Sequence, residues 1–288
     1  MGTAARYLQA LRALALPIIL FACYALAGGI IGQQPSTDAD TGATAGILLV
    51  VCILNASVMA YIILRSRWSG WRLMLAIFVV YYGVTTFMGQ IESAVFITRL
   101  PPGLLPRLFL AGAAIALPFS ILAVIVLGKR KGDSEGTTSL PRDWPWRLGV
   151  LAVAYVILYF SFGYFIAWQS PAVREYYGGV DHGGFFAHMR FVVSDTPWLV
   201  PFQLLRGLLW TAIALPVIAM MTGRRTEIAL ALGLLFAVVM NSQLLLPNPY
   251  MPEPVRMAHL IETASSNFIF GWLVGWILTR PCPATPPS

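Results

Sequence analysis

The chain has 288 residues, of which 58% are hydrophobic and 11% are charged, and its mean hydropathy is +0.74. Soluble domains carry about 45–50% apolar and about 25% charged residues. The composition therefore excludes a soluble globular protein, and it equally excludes a disordered, a collagen-like or a disulfide-rich secreted chain. We expect an all-α protein that crosses a membrane several times.

Eight apolar segments are long enough to cross a bilayer. A spanning helix needs about 20 apolar residues, because about 30 Å of hydrocarbon is crossed at about 1.5 Å per residue. Backbone groups in lipid must be hydrogen-bonded internally, so these segments are predicted to be helices. The predicted spans are residues 11–32, 44–64, 71–94, 104–127, 147–168, 198–221, 227–246 and 258–279.

Basic residues are distributed unevenly between the two sets of connections. One set, which includes both ends of the chain, contains Arg6, Arg12, Arg65, Arg67, Arg72, Lys129, Arg130, Lys131, Arg142, Arg147, Arg224, Arg225 and Arg280. The other set contains only Arg99, Arg107, Arg174, Arg190 and Arg256, and Arg206 lies within span six. Since basic loops stay inside, both termini are predicted to be cytoplasmic. A bacterial cytoplasmic membrane is the location we expect.

The loop composition predicts two halves. Residues 1–127 form a first four-helix half, residues 128–146 a polar cytoplasmic linker, and residues 147–280 a second four-helix half, followed by a disordered tail at 281–288. The net charge of +7 is explained by the basic loops that orient the protein in the membrane and by their contact with anionic lipid headgroups. We therefore expect membrane lipids as partners and no nucleic acid. A membrane-protein partner or a second copy of the chain stays open.

A weak internal repeat relates spans four and six. The two spans align without gaps at an offset of 95 residues, which indicates a parallel repeat unless leucine, glycine and proline recur by chance. The matching residues are Pro102, Leu104, Pro106, Leu110, Gly112, Gly128 and Arg130 with Pro197, Leu199, Pro201, Leu205, Gly207, Gly223 and Arg225. Residues 174–190 are then an insert in an outer loop. Its Gly-Gly pairs and paired aromatic residues predict a lid on the outer membrane surface.

Polar residues within the spans concentrate at one depth. Ionisable residues are costly in lipid, so each one is a candidate functional residue. With the predicted orientation, almost all of them lie in the outer third of the bilayer, and the inner halves are apolar apart from Asn55. This distribution predicts one polar cavity that opens to the outside. The candidate substrate-binding or proton-relay residues are Glu92, Gln203, Arg206, Asn241, His259 and Glu262.

The His259-x-x-Glu262 pair allows three interpretations. Its spacing puts both side chains on one helix face, together with Ser266. The pair could act in substrate or proton handling, or belong to a structural hydrogen-bonded network in which Glu262 pairs with Arg206. It could also begin a metal site, completed by Glu92 and either His182 or His188. The sequence contains no HExxH motif, so no metal is predicted from these residues.

Arg206 requires an anion, because a guanidinium does not lose its proton in proteins. Apart from Glu227, the first residue of span seven, Glu92 and Glu262 are the only carboxylates within the predicted spans. If one of these two carboxylates pairs with Arg206, the other remains available for a different role. The alternatives are that Arg206 takes both carboxylates or that it binds an anionic substrate such as a phosphate headgroup.

No motif in the sequence fixes a reaction. The sequence lacks GxSxG, a Walker loop, a dinucleotide fingerprint and an intramembrane lysine, and its loops are too short to bind a soluble cofactor, so no cofactor is expected. The leading hypothesis is a transporter or lipid-handling permease with an outward-facing polar cavity. The alternatives are an intramembrane enzyme, metal-dependent or not, that acts on a lipid-linked substrate at the outer leaflet, and a non-catalytic subunit of a larger membrane complex.

Overall fold

The computed structural model describes residues 3–31, 41–97, 100–132, 136–137, 140–179 and 183–279, and these residues are almost entirely helical. They contain no strand; Ser66 and Met221 form one isolated antiparallel bridge. The all-α prediction is therefore confirmed. The helices are α1 (Thr3–Ile31), α2 (Thr41–Leu64), α3 (Gly70–Tyr82), α4 (Met88–Phe96), α5 (Leu104–Val126), α6 (Trp144–Phe165), α7 (Pro171–Tyr177), α8 (Phe185–Asp195), α9 (Leu199–Met220), α10 (Arg225–Leu234) and α11 (Glu253–Leu278).

Seven helical segments within the described residues are long and apolar enough to cross a membrane. They correspond to the first seven predicted spans, and two of them include a π-helical turn at mid-length. These turns, Gly83–Phe87 between α3 and α4 and Leu235–Val239 after α10, are followed by more helix. The eighth predicted span is α11, whose 26 residues extend over about 39 Å at about 1.5 Å per residue. Its first half is less apolar, because it carries the polar stripe that begins at His259.

The connections that were predicted to be cytoplasmic meet at one end of the bundle, here called the basic end. The Arg67 backbone N–H donates to Met220 O at 2.8 Å, and the Lys129 ammonium donates to Ser66 O at 2.7 Å. The last turn of α11 reaches the same end, where the Arg225 side chain donates to Trp276 O. α11 therefore runs the full length of the bundle. Which compartment the basic end faces stays a prediction.

The linker is docked rather than detached where the structure describes it. Ser69 Oγ donates to Gly132 O at 2.5 Å, and the Trp68 indole N–H donates to Gly136 O at 3.1 Å. α6 begins at Trp144, three residues before the predicted boundary, with Pro145 in its first turn. The tail at 281–288 lies outside the described residues.

The two halves pack in the same pattern. In the first half α1 packs against α2 and α5, and α3 packs against α5; in the second half α6 packs against α9 and α11, and α10 packs against α11. The order of helices along the chain and their direction are also the same. The packing therefore makes α1, α2, α3 and α5 equivalent to α6, α9, α10 and α11; the division of the chain into two four-helix halves stays a prediction.

Equivalent elements also meet across the two halves. The loop after α2 pairs with the loop after α9 through the Ser66–Met221 bridge, and the two π-helical turns touch each other. Such contacts between equivalent elements are what a two-fold axis along the bundle produces. The alignment of spans four and six proposed from the sequence is a different correspondence, and the packing does not support it.

Two glycines allow α10 and α11 to pack at very short distance. They form a Gly-x-x-x-Gly pattern, which permits close approach of helix backbones in membranes. A Cβ atom at Gly271 would lie 2.3 Å from Leu232 O, and one at Gly275 would lie 2.5 Å from Ala229 Cα. Because both obstacles are backbone atoms, they cannot move out of the way as a side chain can.

We predict that Gly271→Ala and Gly275→Ala each lower the melting temperature of the detergent-solubilised protein. Overpacking of this kind costs about 1–3 kcal/mol, because the helices must separate. Gly149→Ala in α6 is the matched control, since nothing lies within 4 Å of its added Cβ atom. If Gly275→Ala melts at the same temperature as Gly149→Ala, the close α10–α11 contact is wrong.

Candidate functional site

A cavity of about 250 Å³ lies between the two halves at the end opposite the basic end. It is here called the site cavity. It extends as far as Tyr155, in the middle of α6, and Asn267, just past the middle of α11. Its lining residues are Glu92, Phe96, Tyr155, Leu158, Tyr159, Phe160, Gly163, Tyr164, Ala167, Trp168, Val173, Tyr177, His188, Met189, Val192, Leu199, Arg206, Met240, Asn241, His259, Glu262, Thr263, Ser266 and Asn267.

Arg206 and Glu92 form an ion pair across the two halves. Arg206 Nη2 lies 3.0 Å from Glu92 Oε2, and the Arg206 and Glu92 side chains are 4% and 33% exposed. The guanidinium Nη1 also donates to Gln203 Oε1 at 3.0 Å. Arg206 Cζ lies 5.6 Å from the ring centroid of Tyr155, a cation–π distance. The prediction that Arg206 pairs with an intramembrane carboxylate is confirmed, and Glu92 is that carboxylate.

His259 and Glu262 form a second pair on one face of α11. His259 Nδ1 lies 2.8 Å from Glu262 Oε2, and His259 Nε2 lies 3.2 Å from the Tyr177 hydroxyl. The interpretation in which Glu262 pairs directly with Arg206 is wrong in this structure, because the nearer imidazole takes Glu262. The three side chains form one hydrogen-bonded chain from the cavity lining to α7.

Tyr177 keeps its proton in this chain. Burial raises the pKa of the Tyr177 phenol, and the negative charges of Glu92 and Glu262 raise it further. If the His259 imidazole is neutral, its Nε2 accepts a hydrogen bond from the Tyr177 hydroxyl and its Nδ1 donates to Glu262, because each neutral ring has one donor and one acceptor. The carboxylate thus orients the ring from one side and the phenol from the other.

Two further predicted residues support the cavity in different ways. Asn241 lines it just after the π-helical turn: its Nδ2 donates to Phe236 O and Ala237 O, and its Oδ1 accepts from Thr263 Oγ1 at 2.6 Å. Asn241 therefore binds the carbonyls at the irregular turn and joins them to α11. Gln203 does not line the cavity; it is fully buried and acts through its hydrogen bond to Arg206.

Two short helices of the predicted insert cover the cavity. α7 contributes Val173 and Tyr177 to the lining, and α8 contributes His188, Met189 and Val192. α7 is joined to the bundle by the Tyr176 hydroxyl, which donates to Tyr250 O at 2.7 Å. In the described parts of 174–190, residues of the insert thus line the site cavity; that they form a lid on the outer membrane surface stays a prediction.

An aromatic layer closes the cavity toward the basic end. Trp210, one turn beyond Arg206, has its ring centroid 4.6 Å from that of Phe236. Phe236 stacks on Phe270 at 6.3 Å, and Phe270 meets Tyr155 at 4.9 Å. Trp210, Phe236 and Phe270 are fully buried, and apolar residues fill the bundle beyond them.

The weak metal candidates do not converge. In the part of the chain that the structure describes, no three His, Cys, Asp or Glu side chains form a group that could hold a metal ion. His188 packs its ring against Trp168 and Tyr164 instead of joining His259 and Glu262. His182 lies outside the described residues.

The sequence reasoning missed the aromatic part of the site. Tyr155, Tyr159 and Trp168 line the cavity, and the Trp168 indole N–H is a buried donor without an acceptor among the described residues. Tyr155 and Tyr159 recur at a spacing of four and face Arg206. That spacing is a signal in the sequence, but aromatic residues in spans more often face lipid or a packed core.

No protein-family model, no curated protein and no solved structure matches the chain. The functional proposal therefore rests on the geometry and the charges of the site cavity.

We predict that Arg206→Leu lowers the free energy of unfolding by about 3 kcal/mol, because it leaves Glu92 and Gln203 without their partner. This value is at the low end for a buried pair, since Glu92 is one third exposed. Adding Glu92→Gln should recover part of this loss in detergent melts, whereas adding Glu262→Gln should not. If Glu92→Gln and Glu262→Gln each simply added the same loss of stability to that of Arg206→Leu, the pairing of Arg206 with Glu92 would be contradicted.

Proposed function

We propose that the protein is a membrane transporter that binds its substrate in the site cavity. The observation that supports this most is the reach of the cavity, which extends from beneath α7 and α8 to the middle of the bundle and ends at an aromatic floor. Transporter sites lie near the membrane midplane, between structural repeats and beside interrupted helices. Both π-helical turns lie at this depth, and Met240 and Asn241 follow one of them into the lining.

The charges of the cavity favour a positively charged substrate. Of the described residues in its lining, Glu92 and Glu262 are acidic and Arg206 is basic. With neutral imidazoles the lining carries a net charge of −1. Tyrosine and tryptophan rings cover much of the remaining wall, and their faces attract cations. An anionic substrate would instead compete with Glu92 for Arg206 and meet a second carboxylate at Glu262.

An intramembrane enzyme is the second candidate, and the Tyr177–His259–Glu262 chain favours it. A general base needs an imidazole within hydrogen-bond distance of its target and a carboxylate that orients the ring. Here the target would be a substrate proton that takes the place of the Tyr177 hydroxyl. An enzyme of this kind needs access from one side only, whereas a transporter must open to both.

The remaining parts of the proposal concern the setting of the molecule. We place it in a bacterial cytoplasmic membrane with the basic end in the cytoplasm, surrounded by lipids. The subunit alternative has less support, because a cavity lined by the Arg206–Glu92 ion pair and the His259–Glu262 hydrogen bond exceeds what a packing element needs. A partner protein or a second copy stays compatible with the exposed apolar helix faces.

Access to the floor of the cavity tests transport. We predict that a cysteine introduced by Asn267→Cys reacts with an impermeant thiol reagent from either side of sealed vesicles, because the cavity opens alternately. The background would carry Cys23→Ala, Cys52→Ala and Cys282→Ala. Reaction is measured by mass spectrometry on right-side-out and inverted vesicles.

Two controls make the result interpretable. Val193→Cys on exposed α8 should react only from the outside, and Ser120→Cys, fully buried in α5, should react from neither side. Labelling of Asn267→Cys from the outside alone, with both controls as expected, would contradict transport and favour the enzyme.

The substrate charge is tested with three ligands of similar skeleton. We predict that 2-phenylethylamine raises the melting temperature more than 2-phenylethanol and that phenylacetate has no effect, because only the amine complements the carboxylates. Glu262→Gln should remove the effect of the amine. Glu227→Gln, which alters the Arg65–Glu227 pair at the basic end, should leave it unchanged. Stronger stabilisation by phenylacetate would reverse the assignment of charge.

A further inference from the structure

A second cavity of about 130 Å³ lies inside the first half of the bundle. α1, the first π-helical turn, α4 and α5 form its walls, and one residue reaches it from the second half. Its polar lining residues are Tyr24, Thr85, Thr86, Gln90 and Gln243; the others are apolar or glycine. It is here called the amide cavity.

The amide cavity is the counterpart of the site cavity in the repeat. The wall of the site cavity includes α6, the residues just after the second π-helical turn and α11, and the equivalent elements α1, the first turn and α5 wall the amide cavity. Each cavity also receives a side chain from the opposite half. Glu92 comes after the first turn and enters the site cavity, and Gln243 comes after the second turn and enters the amide cavity. The same scaffold therefore builds two polar cavities, of which only one contains charges.

Oxygen acceptors predominate in the amide cavity. The Thr85 hydroxyl donates to Tyr81 O at 2.8 Å, so its oxygen keeps its lone pairs, and Gln243 Nε2 donates to Thr85 O at 3.2 Å, which leaves the Gln243 Oε1 as an acceptor. Gln90 Oε1 is a buried acceptor that no donor reaches among the described residues. No charged side chain occurs in the lining as described.

Gly112 brings a further oxygen into the group. A Cβ atom at this position would lie 2.2 Å from Thr86 Oγ1, so only glycine lets that hydroxyl approach α5. Thr86 Oγ1 lies 3.5 Å from Thr85 Oγ1, and both residues belong to the π-helical turn. Irregular helix at mid-membrane is tolerated where it lines a cavity, and such segments supply oxygens to monovalent cations.

We propose that the amide cavity binds an alkali-metal cation, with Na⁺ as the best fit. Neutral side-chain oxygens of Thr85, Thr86, Gln90 and Gln243 replace part of its hydration shell, and trapped water completes the coordination. Calcium and magnesium are disfavoured because both rely on carboxylates. An anion is disfavoured because the lining offers no basic group. The proposal does not depend on transport, since an ion can bind here whatever the site cavity does.

Thermal stability under different salts tests the proposal. The purified full-length protein is melted in NaCl, LiCl, KCl and N-methyl-D-glucamine chloride at equal ionic strength. A ligand that binds only the folded state raises the melting temperature in a saturable way. We expect a saturable rise in NaCl relative to N-methyl-D-glucamine chloride, and equilibrium dialysis with radioactive Na⁺ should give one site per chain.

Three variants locate the ion. Thr86→Val and Gln90→Leu should abolish the Na⁺-dependent rise without lowering the melting temperature in N-methyl-D-glucamine chloride. Thr211→Val is the matched control: its hydroxyl bonds a backbone carbonyl one turn earlier, as that of Thr85 does, but it lines neither cavity. That variant should keep the full Na⁺ response.

Two results would overturn the proposal. Equal melting temperatures in all four salts, together with no bound Na⁺ in dialysis of the wild-type chain, would mean that water fills the amide cavity. If the Na⁺-dependent rise in melting temperature were unchanged in both the Thr86→Val and the Gln90→Leu variant, the ion would bind outside the amide cavity. Neither result bears on access to Asn267, so failure here is distinguishable from failure of the proposed function.

Discussion

A permanent positive charge buried in an apolar bundle constrains the rest of this structure. Arg206 cannot be neutralised by losing its proton, so an anion must reach it. Glu92 does so from the other half, at 3.0 Å. This contact ties α4 to α9 across the interface between the halves, and it leaves Glu262 for His259. The ion pair therefore determines which groups at the site are committed to structure and which can respond to a substrate.

The span pattern could be predicted because lipid imposes strict rules on composition. Apolar length located the helices, and the polar residues of the spans gave the depth of the site before any contact was known. The choice between Glu92 and Glu262 as partner of Arg206 could not be made this way. It depends on how α4, α9 and α11 are arranged around the bundle, and helix spacing along one chain contains no such information.

The repeat shows a different limit of sequence reasoning. The alignment of span four with span six used identities of leucine, glycine and proline, which membrane helices share for general packing reasons. The equivalence seen in the packing pairs α3 with α10, where few residues match. The halves share the position of a π-helical turn and the way each helix contacts its neighbours. The π-helical turn and the helix contacts depend on backbone hydrogen bonds and on shape, which different residues can supply. A comparison of residue identities therefore does not detect them.

The two halves differ in charge in the side chains that come after each π-helical turn and in the helix that faces the turn. Glu92 comes after the first turn and crosses into the second half, whereas Gln243 comes after the second turn and crosses into the first. α11 carries His259 and Glu262 where α5 carries apolar residues and glycine. Charge has thus accumulated around one cavity, which α7 and α8 also line and which has the larger volume. Because burying a charge is costly without a partner, pairing Arg206 with Glu92 and His259 with Glu262 around one cavity is less costly than dividing these groups between two cavities.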